Sequence, residues 1–194
     1  MLVQQLIVTT SSDPFIRGLD YLYGVRSLAL VPEMVGVVDD LAHRGSICTW
    51  IGDHIDRVNS QLNAYLQMCH DCFHLQEQRS IQIFAAPLVR SFEIDGFCNL
   101  QTNPITILID VGQVVPEDWL RLVVHEYAHA HAGFPGHHSQ FGRSLAHLCL
   151  GLEIPFPLDQ PDHGDWLRFY PDCVATQDSL AFWRGEEVSR RSLN

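Results

Sequence analysis

The chain has 194 residues, 46% of them hydrophobic, enough to bury one good core with a helical appendage, and this composition excludes a disordered polymer. Its 12 basic residues are all arginine and stand against 23 acidic ones, so the net charge of -11 argues against nucleic acid as a partner, and the lack of lysine excludes a lysine nucleophile. No apolar run approaches a membrane span and the Met1 to Val8 start lacks signal-peptide character, so a cytoplasmic protein is expected.

The first 79 residues read as a helical region. Leu19, Leu22 and Tyr23 recur at helical spacing, as do Val35, Val38 and Leu41, and Ile51, Ile55, Val58 and Leu62 continue the pattern through Tyr65 and Leu66 to Cys69. Gly24, Gly36, Gly45 and Gly52 punctuate it. Near its end, Cys69-His70-Asp71-Cys72-Phe73-His74 gathers thiols and imidazoles that could make a closed structural metal site. The spacing is wrong for a zinc finger, however, and a helix would spread these side chains around its circumference; buried thiols are the plainer reading. All six cysteines are scattered without a disulfide-scaffold pattern, in keeping with a reducing compartment.

From Ser80 to Asp110 the texture turns to short strands. Ile81-Gln82-Ile83-Phe84, Phe92-Glu93-Ile94 and Ile105-Thr106-Ile107-Leu108-Ile109 are the three candidates, with turns at Asp95-Gly96 and Asn103-Pro104. The next element is a helix expected over Glu117 to Ala132. Pro116, Glu117 and Asp118 suit its first turn, Trp119, Leu122 and Val123 give it an apolar side, and Gly133 stops it.

Inside that helix stands His125-Glu126-Tyr127-Ala128-His129. Imidazoles four residues apart project from one helical face and can grip one metal ion. The glutamate between them is placed to deprotonate a metal-bound water rather than to ligate. A catalytic zinc takes three protein ligands, and the following loop, Phe134-Pro135-Gly136-His137-His138, offers two candidates for the third. Ser139 is a plausible N-cap for a second helix, in which Phe141, Leu145, Leu148 and Leu152 line one face. His131 lies on a different face from the motif pair and reads as exposed helix surface, and His147 as structural.

His125-Glu126-x-x-His129 followed by Gly136-His137-x-x-x-Phe141 and an amphipathic helix resembles the SprT-like branch of the zincin metallopeptidases. The resemblance covers about thirty-five residues. It implies an α+β fold in which a small, mainly antiparallel sheet packs on the motif helix, with a catalytic core at 80–154 of a single domain. It also implies Zn2+ held by His125, His129 and His137, with His138 as the alternative third ligand, and Glu126 as general base. In that family an edge strand above the metal pairs with extended substrate. The metzincin pattern fits less well, because its glycine and third histidine would fall on Ala132 and Pro135; a gluzincin pattern would recruit Glu153, which Pro155 disfavours. The chain lacks the cysteine-rich ribbon and basic surface that often accompany the SprT core, so nucleic-acid binding is not carried over.

The remaining segment, 155–194, is rich in proline, aspartate and aromatic residues and is expected to wrap the core and wall the cleft. Within it, Tyr170 and His163 are candidates to stabilise an oxyanion or to orient a ligand imidazole, and Asp162 and Asp165 flank the latter. The expected activity is zinc-dependent hydrolysis of peptide bonds. A non-catalytic scaffold that docks a protein partner, or a hydrolase of a non-peptide substrate, are the alternatives; the intact glutamate argues against the scaffold, which would need the histidines but not the base.

Overall fold

A computed structural model describes residues 11–156, 167, 168 and 170–189. Among these residues it is an α+β protein with five α-helices and one three-stranded sheet. Helix α1 (Pro14–Leu28) starts on Asp13, whose Oδ1 accepts from the Phe15 amide at 2.8 Å, with Pro14 in the first turn where its missing N–H costs nothing. Helix α2 (Arg44–Asp71) buries Ile47, Ile51, Ile55, Val58, Leu62, Leu66 and Cys69, the stripe expected from the sequence. The two helices meet through glycine. A Cβ on Gly18 would collide with the Cys48 carbonyl oxygen, and one on Gly52 with that of Pro14. Gly52 therefore permits close helix approach; together with Gly24 and Gly45 it lies inside a helix instead of punctuating one.

Between these helices the expected third helical stretch is absent. Two 3-10 turns, Pro32–Met34 and Gly36–Asp39, bury Met34, Val37 and Val38, while Leu41 is 78% exposed. Three apolar residues at helical spacing were too short a pattern to outweigh Pro32 and Gly36.

Strands β1 (Ile81–Ala85) and β3 (Ile105–Ile109) lie where the apolar runs placed them. The middle strand does not. Phe92 ends a 3-10 turn and Glu93 takes a left-handed backbone, φ 52°, so β2 forms one turn later, at Gly96–Asn99. Gly96 is a strand residue because the sheet is tight there: a Cβ would meet Ile109 Cδ1 at 2.9 Å and the Leu108 carbonyl oxygen at 3.1 Å. The order is β1-β3-β2, with β1 parallel and β2 antiparallel to β3. The sheet is thus mixed, not mainly antiparallel, since the chain visits the far edge at β2 before returning to the centre.

Helix α3 (Trp119–Ala132) is entered by a 3-10 turn at Pro116–Asp118 and ends at Gly133 with φ 74°, a left-handed cap that glycine adopts without strain. It is buried on nearly all sides, packing on β2, β3, α2 and α4. Helix α4 (Ser139–Gly151) buries Phe141, Leu145, Leu148 and Cys149. Its N-cap is His138, without a side-chain cap bond, and Ser139 is the first helical residue.

The segment from Tyr170 returns across the molecule to α5 (Ser179–Trp183) and is fastened at its far end by Asp110. This wholly buried carboxylate accepts from Trp183 Nε1 at 2.7 Å, Leu88 N at 2.9 Å, Gly112 N at 3.0 Å and Gln113 Nε2 at 3.1 Å. The six cysteines are free thiols, and no helix among the described residues is long and apolar enough to cross a membrane.

Candidate metal centre

The first two imidazoles come from successive turns of α3. Their ring centroids are 5.0 Å apart, and the loop after Gly133 brings the His137 ring to 5.2 Å from His125 and 4.8 Å from His129. One potential ligand atom from each of the three lies within 4.8 Å of the others, so this group could hold a metal ion. His125 Nε2 and His137 Nε2 stand 3.2 Å apart. Nitrogens bound at about 2.0–2.1 Å in a tetrahedral zinc site lie roughly 3.4 Å from one another, so the observed spacing fits such an ion.

The protonation of the two helix histidines follows from their other ring nitrogens. His125 Nδ1 lies 2.8 Å from the Tyr170 carbonyl oxygen and His129 Nδ1 3.2 Å from that of Phe134. A carbonyl oxygen only accepts, so each Nδ1 carries the hydrogen and donates it. That leaves the lone pair on Nε2, facing the centre. Burial depresses the pKa of His125 to about 4 and of His129 to about 3, and it also lowers that of His137, with Arg168 and His138 adding to the last effect. The rings are accordingly neutral at pH 7, the form a metal ligand needs.

Phe141 of α4 makes the floor of this group. Its ring centroid is 5.1 Å from His125, 4.3 Å from His129 and 4.8 Å from His137, and the residue is almost fully buried. An apolar wall against three imidazoles restricts their rotation and keeps water to one side.

Glu126 projects from α3 toward β2, where the place of a Gly96 Cβ would be 3.4 Å from its Cγ. It is only 6% exposed, and its carboxylate accepts no hydrogen bond from any described residue. Burial, and then the neighbouring Asp95 carboxylate, push its pKa up to about 8. A positive charge among the histidines would oppose both effects. Glu126, His125, His129 and His137 all line an open cleft of about 480 Å³, whose other walls include Asp95 and Arg168.

The remaining candidates fall elsewhere. His138 is exposed, and its ring lies over Gly136, where a Cβ would meet His138 Nε2 at 2.7 Å. Tyr170 reaches the centre through its backbone carbonyl, while its ring packs edge-on against Phe156. His163, with Asp162 and Asp165, lies outside the described residues. The cysteine and histidine group at residues 69–74 forms no metal-spaced cluster among them: Cys69 is buried, and His70 Nδ1 bonds the Tyr127 hydroxyl at 2.9 Å. His131, expected on open surface, is instead half-buried and stacked 3.9 Å from the Phe73 ring. The C-terminal end of α2 covers that side of α3, a contact that helical periodicity does not encode. His147 is structural, bonding the Cys72 carbonyl at 2.7 Å. The carbonyls of Tyr170 and Phe134 had no signal in the sequence, and Phe141 signalled burial but not its three histidine neighbours.

Comparison of the chain with protein-family models, with curated proteins and with solved structures gave no significant match.

Proposed function

We propose that this protein is a zinc-dependent metallopeptidase. The observation that carries the reading is the convergence of His125, His129 and His137 at one end of an open cleft, with the buried Glu126 carboxyl beside them. The three neutral imidazoles would hold the ion, a donor set suited to zinc with a position left for water. An ion held there would supply an acidified water and polarise the scissile carbonyl. The Glu126 carboxylate would accept a proton from the attacking water and deliver it to the departing amine nitrogen.

Strand β2 supports a peptide as the substrate. Among the described residues it is a sheet edge, paired with β3 alone, and it borders the cleft. The Asp110 amide bonds the Asp95 carbonyl, so alternation along an antiparallel ladder turns the backbone groups of Gly96 and Cys98 away from β3. An extended substrate can pair with those groups and lay its scissile bond near Glu126. The openness of the cleft argues against a closed structural zinc site and a purely scaffolding role.

The test is Glu126→Gln, with zinc content by mass spectrometry and cleavage of a peptide library read side by side. The expected result is about one zinc per chain in both proteins and cleavage by the wild type alone. Equal cleavage by the variant would overturn the role of Glu126, and a wild type without zinc would overturn the metallopeptidase reading.

A further inference from the structure

The His125 Nδ1 bonds a carbonyl 45 residues away in sequence, and the segment that presents this carbonyl is itself bonded to α3. Residues 170–174 run alongside α3 with three hydrogen bonds at regular intervals. His125 Nδ1 donates to the Tyr170 carbonyl at 2.8 Å, Arg121 Nη1 to the Asp172 carbonyl at 3.0 Å, and the Val174 amide to Asp118 Oδ2 at 2.9 Å. Residues 118, 121 and 125 are three and then four apart, so they share one face at successive helical turns. Residues 174, 172 and 170 are alternate positions of the strap, and each meets this face of the helix through one of the three bonds. The three contacts span two turns of the helix.

Asp118 is the origin of that register. It is 9% exposed, at the mouth of α3, where its Oδ2 takes the Val174 amide and its Oδ1 lies 3.5 Å from Arg121 Nε. Below it the strap is fastened to backbone, by the Val115 amide on the Val174 carbonyl at 3.0 Å and the bridge of Val114 with Ala175. Above it, residues 170–173 meet the helix through the Arg121 and His125 bonds and through Cys173 Sγ, 3.8 Å from the Asp118 carbonyl oxygen. Arg121 is partly exposed and is itself aligned by Asp118.

We propose that Asp118 is a positioning residue for the metal centre, acting through the strap to hold the Tyr170 carbonyl against His125 Nδ1 and so fix the tautomer and aim of His125. The residue does not touch the metal or the substrate. Its effect on affinity rests on the metallopeptidase reading, whereas its effect on the His125 tautomer does not. His129 is an internal control, because its Nδ1 bonds Phe134 in a different loop.

The experiment uses Asp118→Ala and Asp118→Asn in the full chain, the second keeping an oxygen that can accept from Val174. Long-range proton–nitrogen correlation on the labelled, zinc-free proteins reads each histidine tautomer, and competition with a chromogenic chelator reads zinc affinity. In Asp118→Ala, His125 is expected to lose its single Nδ1–H form while His129 keeps it, with zinc binding weakened about ten- to hundredfold. Asp118→Asn should restore both readouts. An unchanged His125 tautomer in Asp118→Ala, an unchanged affinity, or equal loss of both tautomers would each overturn the proposal. If the wild type binds no zinc, the metallopeptidase reading falls, and the tautomer comparison alone decides whether Asp118 sets His125.

Discussion

Replacing Asp110 by alanine tests how the C-terminal segment is fastened to the sheet. The change removes one carboxylate and strands four donors. Gln113 is half-buried and can turn its amide to water, but Leu88 N, Gly112 N and Trp183 Nε1 are held in buried surroundings. A buried donor left unsatisfied costs about 1–3 kcal/mol, so three of them sum to roughly 3–9 kcal/mol. Water entering the space of the lost carboxylate recovers part of this, and a net loss of about 4 kcal/mol is expected. Against a typical domain stability of roughly 5–15 kcal/mol, that is a large fraction. Asparagine should cost less, about 2 kcal/mol, because its oxygen can still serve two donors while its amide opposes the others. The assay is urea denaturation of metal-free protein at pH 7, followed by circular dichroism, with equal m-values required for the comparison. An Asp110→Ala midpoint corresponding to less than 1 kcal/mol of destabilisation would refute the reasoning, since it would mean these donors find other partners at no cost.

Two further outcomes follow from the three-histidine group. His137→Ala should lose stoichiometric zinc while His138→Ala keeps it, because only the former ring converges on His125 and His129; retention of zinc by His137→Ala, measured by mass spectrometry, would exclude it as a ligand. The chelated protein should lose stability in acid. An imidazole whose folded pKa is depressed is protonated more in the unfolded chain, so its contribution is complete above about pH 6.5 and is lost as pH falls toward 4. At pH 5 this amounts to about 2 kcal/mol for each of His125 and His129. The stability difference between pH 7 and pH 5 should therefore shrink in a His125→Gln, His129→Gln double variant, and an unchanged difference would show that these rings are not held neutral by the fold.

Much of the framework was legible because its signals are local. The stripe from Ile51 to Cys69 needed only helical periodicity, and α3 needed its motif, its apolar side and the stop at Gly133. Strands β1 and β3 are uninterrupted apolar runs. The failures have local causes too. Phe92-Glu93-Ile94 has strand-like composition, but the left-handed backbone at Glu93 ends it, and β2 begins at a glycine that reads as a turn. The Val35, Val38 and Leu41 pattern lacked the length to nucleate a helix.

The sequence by itself determined which groups can reach a metal. His125 and His129 share a face because an α-helix repeats every 3.6 residues, and Glu126 follows from the same geometry. Tertiary structure alone decided how they are aimed. The path of the loop from Gly133 to His138 brings His137, and not His138, beside His125 and His129, and the lone pairs of those two are directed by the carbonyls of Tyr170 and Phe134. Every residue carries a carbonyl, so its identity encodes nothing about which one will face an imidazole. That is settled only when the strap from Tyr170 to Val174 lies down along Asp118, Arg121 and His125.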